Sequence, residues 1–334
     1  MQLPHEFIST IQNVFKEDGE KFLAVLPSTL DEVSQRWGLS DVQPVPNLSF
    51  NFVAFAKRPS TAPQSSRGST QDVILKMGVP NRELISEMMA LKFFNGDGAC
   101  QLLECDEERG FLLLERLKPG IMLSELDDDD ERTNIAADVM QKIWRPVETL
   151  ESNSTLRAHE LFDNGQHPQG TRAARLQNLI RLSDWFDELK KIRPHFNGGT
   201  GPFPKEILER VESYLPELFA DKDVKLMHGD FHHFNILSSE RGWLIIDPKG
   251  VIGPAGYEVG PLMLNQWNSI SDWNSFKVQV ARRVGILSER LGWEREKIIN
   301  WATAHAVLSA WWSIEDNMED ENTLKCARIF SELK

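Results

Sequence analysis

Basic charge, cysteine and long apolar runs are all scarce in this chain of 334 residues. Lysine and arginine number 37 against 50 aspartates and glutamates, a formal net charge of −13. A surface of that sign repels phosphate backbones, which argues against a nucleic-acid polymer as partner. It would suit a cationic small substrate, although solubilising charge alone explains it as well. There are three cysteines, Cys100, Cys105 and Cys326, without metal-like pairing. An odd count of that kind fits reduced thiols. No apolar run approaches the roughly 20 residues of a membrane helix. The opening stretch MQLPHEFISTIQNVFKEDGE lacks a basic start followed by an apolar block. Neither a signal peptide nor a membrane partner is expected, and the cytoplasm is the expected location.

What is present is ordinary for a folded protein, with 41% hydrophobic and 26% charged residues, in a chain long enough for two lobes. Apolar residues at helical spacing from Phe7 to Trp37 predict two short helices. The pattern then alternates with period two over Leu48–Phe55, and Val73-Ile74-Leu75 is a short β-branched run. The Ser/Thr/Pro-rich stretch between them reads as a hairpin with an exposed, mobile tip. Asn81 is a candidate N-cap for a helix over 81–95 that Gly96 and Gly98 end. Strands around 100–105 and 110–117 complete a part that is mostly sheet with one inserted helix. From Pro119 onward the chain reads as almost all helix, with segments at 127–144, 171–192, 204–220, 257–266, 273–291, 294–315 and 321–333. No internal repeat is present.

One segment stands out, His228-Gly-Asp-Phe-His-His-Phe-Asn235, followed by the strand Trp243–Ile246 and Asp247. The turn Glu240-Arg241-Gly242 folds the two strands into a hairpin, which sets Asn235 at the start of one strand and Asp247 at the end of its neighbour. Singly, an Asp after a strand or an Asn in a loop is usually a turn residue. Jointly, they match what phosphoryl transfer from a nucleotide needs. Asn235 and Asp247 offer oxygens to Mg²⁺, and Asp230 is free to position a hydroxyl and take its proton. His228 reads as a residue that holds the loop. The N-terminal part supplies the complementary pieces: Lys76 at a strand end for phosphates, and Glu87 on the next helix to hold it, with Glu83 one turn earlier. Glu115 and Leu117 follow the apolar strand, where backbone groups can meet the base of ATP or GTP. Glycine is missing from the turn near Pro46–Asn51, where a phosphate loop would lie, and Ser49 is its candidate contact.

These residues resemble the aminoglycoside phosphotransferases, and among them the streptomycin kinase and hydroxyurea phosphotransferase branch. The resemblance rests on HGDFHHFNIL, WLIIDPKGVIGPAGYEVGPLM, VILKMG, GFLLLERLKPG and AWWSIED, and spans about 48–316. It implies an α+β, bilobal, protein-kinase-like fold. Residues 1–117 would form a small nucleotide-binding lobe of sheet and helix, and 118–334 a larger, mainly helical lobe with the catalytic loop and acceptor site. It also implies Asp230 as catalytic aspartate, Asn235 and Asp247 as Mg²⁺ ligands, and Lys76 on phosphate. The expected activity is transfer of a phosphoryl group from ATP to a hydroxyl of a small polar molecule, an aminoglycoside such as streptomycin. Hydroxyurea or another small metabolite is the alternative acceptor. A nucleotide-binding pseudokinase is the alternative of another class, disfavoured by the joint presence of Lys76, Asp230, Asn235 and Asp247. By the same resemblance AWWSIED borders the acceptor. Each of its acids lies four residues from a tryptophan, so Trp311, Glu315 and Asp316 are candidates for a cationic acceptor.

Overall fold

A computed structural model describes residues 3–60, 69–146, 179–265, 272–318 and 321–333. The first element, α1 (His5–Trp37), is interrupted at Lys16, whose φ of 52° breaks the helical run. The two expected helices are thus one element with a break. Phe7, Ile11, Leu26 and Val33 of α1 are buried against one face of a sheet, on Phe52, Ala54, Leu75, Met77 and Phe111.

That sheet contains β1 (Ser40–Pro44), β2 (Phe52–Pro59), β3 (Thr70–Met77), β4 (Leu102–Asp106) and β5 (Phe111–Glu115), in the order β1-β2-β3-β5-β4. All its neighbouring pairs are antiparallel. The alternation over 48–55 is therefore partly turn, because β2 starts at Phe52, and β1 is a strand that periodicity missed. The tip expected between β2 and β3 falls largely on 61–68, outside the described residues. Helix α2 (Arg82–Phe94) lies between β3 and β4 in the chain and begins at Asn81, whose side chain accepts from the Leu84 backbone N–H at 2.9 Å. From β5 the chain passes through Arg116, Leu117 and Lys118 into β6 (Pro119–Met122).

Helix α3 (Asp129–Ile143) follows, capped by Asp128, which accepts from Asp130 N and Glu131 N. Its acidic start does more than meet a helix dipole. Asp129 receives the fully buried Arg283 guanidinium, at 2.6 Å from Nη2, and so ties α3 to a distant helix. The stretch after Pro119 is less helical than expected, because short strands recur. β7 (Arg145–Pro146), β9 (Val224–Met227), β12 (Val251–Pro254) and β8 (Ile180–Arg181) form one sheet, with β12 parallel to β8. β10 (Ile236–Ser239), β11 (Gly242–Ile245) and β6 form another. The helix expected over 171–192 falls partly outside the described residues. From 180 it is β8, then α4 (Leu182–Asp187), a 3₁₀ turn and α5 (Ile192–His195).

The remaining helices are α6 (Lys205–Phe219), α7 (Val259–Leu264), α8 (Trp273–Leu291), α9 (Arg295–Glu315) and α10 (Glu321–Ser331). Helix α9 is apolar nearly all round, as befits a central helix, with Trp301, Ala304, Val307, Leu308 and Trp311 all buried. Among the described residues no helix is long and apolar enough to cross a membrane.

The Asn81 cap is a direct test of the α2 geometry. Asn81→Ala should destabilise the protein by about 1 kcal/mol and Asn81→Asp by much less. Urea denaturation followed by circular dichroism would report this as a lower midpoint for the alanine variant alone.

Candidate functional site

Side chains alternate across β3. Leu75 and Met77 face α1, so Lys76 faces the opposite side, towards α2. There its Nζ lies 2.8 and 2.6 Å from the two carboxylate oxygens of Glu87, one α2 turn beyond Glu83. It also lies 2.5 Å from Oδ1 of Asp247, 171 residues away in the chain. Lys76 and Glu87 are buried, whereas the Asp247 side chain is 44% exposed at the mouth of the cluster. Burial opposes the charge on Lys76, but the two carboxylates outweigh it and hold its pKa above the ordinary value. Burial likewise opposes the charge on Asp247, and Lys76 and Lys249 outweigh it, holding that carboxyl below the usual range.

Asp247 follows β11 with φ of 56°, a left-handed backbone that a short polar side chain tolerates. The β10–β11 hairpin brings it to Asn235. Ile236 pairs with Ile245, and the Ile246 N–H donates to the Asn235 carbonyl at 3.0 Å. The Asn235 amide N donates to the Asp230 carbonyl at 3.0 Å, which leaves the amide oxygen as its free acceptor.

Asp230 sits on a loop whose backbone is held from below. The N–H groups of His228 and Gly229 donate to the two carboxylate oxygens of Glu258, at 3.1 and 2.8 Å. Gly229 has φ of 86°, and a Cβ there would lie 2.3 Å from Val251 Cγ2, so only glycine fits. His228 accepts at Nδ1 from the Asp230 N–H and donates from Nε2 to the Ile246 carbonyl, which requires the neutral ring. Burial agrees, lowering its pKa to about 4. For Asp230 itself burial works against the charge. His232, with Nε2 3.6 Å from Oδ2, and the charges around it, Lys249 among them, hold its carboxyl far below the usual range.

The structure therefore brings Lys76, Glu87, Asp247, Asn235 and Asp230 to one place, across three segments. Glu115 ends β5; its carboxylate is engaged by Gln101 N at 3.0 Å and by Arg241, and its backbone N–H donates to the Gln101 carbonyl at 2.8 Å. Leu117 is buried in the following link. Ser49 lies exposed in the turn that joins β1 to β2. The acceptor candidates lie towards the C-terminal end of α9, where Trp311 and Glu315 both meet the segment 191–195. Trp311 is buried with its ring against His195, Glu315 pairs with Lys191 at 3.3 Å, and Asp316 is exposed at the α9 C-cap. Trp312, half-buried, instead meets Trp185, which in turn meets Tyr257 beneath the loop.

Sequence reasoning missed Glu258, Lys249 and the buried Tyr257–His305 hydrogen bond of 3.0 Å. For Glu258 a signal existed, a single acid inside the apolar run GYEVGPLML. An acid so placed needs donors, and here they are the loop's own amides.

A model of a family described as aminoglycoside/hydroxyurea antibiotic resistance kinase matches residues 53–317. A streptomycin 6-kinase of Streptomyces glaucescens is 25% identical over 317 residues, covering 95% of this chain and 92% of that protein. A hydroxyurea phosphotransferase of Kitasatospora aureofaciens is 27% identical over 317 residues, covering 95% and 81%. Among solved structures, a choline kinase from Streptococcus pneumoniae superimposes with a TM-score of 0.54 at 16% identity, covering 92% of this chain and 99% of that one. An aminoglycoside phosphotransferase in ternary complex with ADP and hygromycin B gives 0.50 at 11% identity, covering 90% and 97%. These structural likenesses establish the protein-kinase-like fold, a sheet-rich first lobe and a helical second one.

Three buried histidines set a pH dependence, and burial lowers one of them, His233, well below the ordinary value. Burial lowers His228 and His305 each to about 4, from an ordinary 6.5. Below pH 6.5 the unfolded chain takes up protons that the folded one refuses. Their contribution to stability is therefore complete above pH 6.5 and lost as pH falls towards 4. Histidine NMR should show the His228 and His305 rings neutral and unchanged from pH 7.5 to 5.5. A midpoint near 6.5 for either would contradict the buried, neutral assignment.

Proposed function

The chain belongs to the aminoglycoside/hydroxyurea antibiotic resistance kinase family and is a small-molecule phosphotransferase, and we propose from that premise that it moves the γ-phosphate of ATP to a hydroxyl of an aminoglycoside such as streptomycin. The observation that carries the reading is the buried Lys76 ammonium held between Glu87 and Asp247, next to a loop that presents Asp230 and Asn235. Lys76 holds the nucleotide phosphates and Glu87 holds Lys76. Ser49 covers the phosphates from the β1–β2 turn, and the backbone of Glu115 and Leu117 meets the base. Asp247 and the Asn235 amide oxygen fit Mg²⁺. One carboxylate and one neutral oxygen are a donor set that leaves the other positions to phosphate oxygens and water. Bound there, Mg²⁺ would neutralise charge on the phosphates during transfer.

Asp230 orients the acceptor hydroxyl. It takes the hydroxyl proton as the oxygen bonds to phosphorus. The two streptomycin 6-kinases among the relatives support a guanidinium-bearing acceptor, as does the net charge of −13. For its aromatic wall we favour Trp312 with Trp185 over Trp311, whose ring is covered. Glu315 and Asp316 remain candidate acids at the end of α9. Hydroxyurea is the second acceptor to test, from the Kitasatospora relative.

The test is ADP release by the purified protein with ATP, Mg²⁺ and streptomycin, hygromycin B or hydroxyurea in turn. Turnover with streptomycin is expected. Turnover with hydroxyurea alone would replace the acceptor class, and nucleotide binding without any turnover would favour a pseudokinase. Asp230→Asn should cut turnover by roughly 10²–10⁴ while nucleotide still binds. Asp247→Ala should abolish the Mg²⁺ dependence of nucleotide binding more completely than Asn235→Ala, since a carboxylate brings a full charge and an amide only a dipole. Titration of a fluorescent ATP analogue with and without Mg²⁺ would show equal Mg²⁺ dependence in wild type and Asp247→Ala if the assignment is wrong.

A further inference from the structure

Two cations stand among the carboxylates of the site, and the reading above employs only one. The second is Lys249, two residues after Asp247. Its backbone is clamped from both sides. Its N–H donates to the His228 carbonyl at 2.7 Å, and the next residue, Gly250, accepts from the buried Ser86 hydroxyl at 2.8 Å. Its Cβ lies 3.2 Å from where a Cβ of Gly229 would be, so the side chain sets out from against the loop that carries Asp230. The fold thus fixes the root of this side chain as firmly as any in the site.

Its head is held differently. The Lys76 ammonium makes three carboxylate contacts of 2.5 to 2.8 Å. The Lys249 ammonium has one ion-pair partner among the described residues, Glu83, at 3.5 Å, and that carboxylate is 57% exposed. At that distance the pair is barely hydrogen-bonded and easily exchanged. The Lys249 side chain is itself 31% exposed, and its charge acts on both Asp230 and Asp247. A loosely paired head on a fixed root, two residues after the metal-side carboxylate and set against the loop of the acceptor-side one, is placed where negative charge moves during transfer. The need for it is also visible. The turn over Pro46–Asn51 has no glycine, so its backbone amides are poorly suited to wrap the phosphates closely.

We propose that Lys249 leaves Glu83 and donates hydrogen bonds to the oxygens of the phosphoryl group in flight, as a catalytic cation that does the work of the missing glycine-rich loop. This rests on the phosphotransferase reading above. In the step, the acceptor oxygen bonds to phosphorus as the bond to the ADP oxygen breaks. The hydroxyl proton passes to Asp230, and Lys249 keeps its own proton throughout. Its contacts are stronger to the transferring group than to bound ATP, so its effect falls on turnover rather than on ground-state affinity.

The experiment compares wild type, Lys249→Met, Lys249→Arg and Glu83→Gln, reading the affinity for a fluorescent ADP with Mg²⁺, without and with aluminium fluoride as the phosphoryl mimic. Turnover of ATP with the acceptor, or with water, is measured alongside. Lys249→Met keeps the methylene stem, and its melting temperature checks folding. It is expected to bind ADP within threefold of wild type, to lose most of the tightening that aluminium fluoride brings, and to turn over about 10²–10³-fold more slowly. Lys249→Arg should recover part of both, and Glu83→Gln should lose neither. The proposal is overturned if Lys249→Met tightens on aluminium fluoride as wild type does, or if Glu83→Gln reproduces its losses, which would mark a structural ion pair. A wild-type protein that binds no ADP would instead sink the phosphotransferase reading, and this proposal with it.

Discussion

The site is organised around one buried ammonium. Lys76 reaches from the middle of a five-stranded sheet to a carboxylate on α2 and to another at the end of β11. Charges taken out of water are costly unless they are paired, and removing one partner of such a cluster leaves an uncompensated charge. The sheet, α2 and the β10–β11 hairpin must therefore keep their relative positions for Lys76 to stay satisfied. The interaction is poor evidence for stability but good evidence for registration. It ties three segments, from opposite halves of the chain, into one geometry.

A second constraint lies beneath the loop that carries Asp230. Glu258 is fully buried, and burial pushes its pKa up to about 8, against the pull of the two loop amides that donate to it. His228, neutral, closes the loop onto the Ile246 carbonyl just before Asp247. The loop with Asp230 and the strand end with Asp247 are thus joined by the same imidazole. Tyr257 and His305 fill the space below, and the aromatic chain Tyr257, Trp185, Trp312 leads away towards the end of α9. This layering sets the loop that carries Asp230, held by Glu258 and His228, above an aromatic layer.

Local order in the chain was enough to find the elements that carry chemistry. Asn81 declared the start of α2, the β-branched run Val73-Ile74-Leu75 placed Lys76 on a strand, and Glu240-Arg241-Gly242 declared the hairpin that joins Asn235 to Asp247. These are nearest-neighbour effects, capping, alternation and turn chemistry, and they do not need the rest of the fold. Short strands such as β7, β8, β9 and β12 were not legible, because two to four residues carry no period. They exist only where partners from other segments satisfy their backbone. The break at Lys16 inside α1 was read as a gap between helices, which is nearly what it is.

The candidate reacting groups were thus legible in the sequence: an Asp, an Asn and a second Asp at fixed spacing, with a lysine and a glutamate upstream. Their partners were decided by tertiary structure alone. That Lys76 meets Asp247 as well as Glu87, that Glu258 holds the loop, that Trp311 is covered while Trp312 meets Trp185, and that Lys249 stands beside Asp230 all depend on separations of tens to hundreds of residues. The reason is the range of the forces involved. Backbone preferences act over a few residues and leave a trace in the order of the chain. Hydrogen bonds and ion pairs between distant segments act only once burial has brought those segments within a few ångströms of one another.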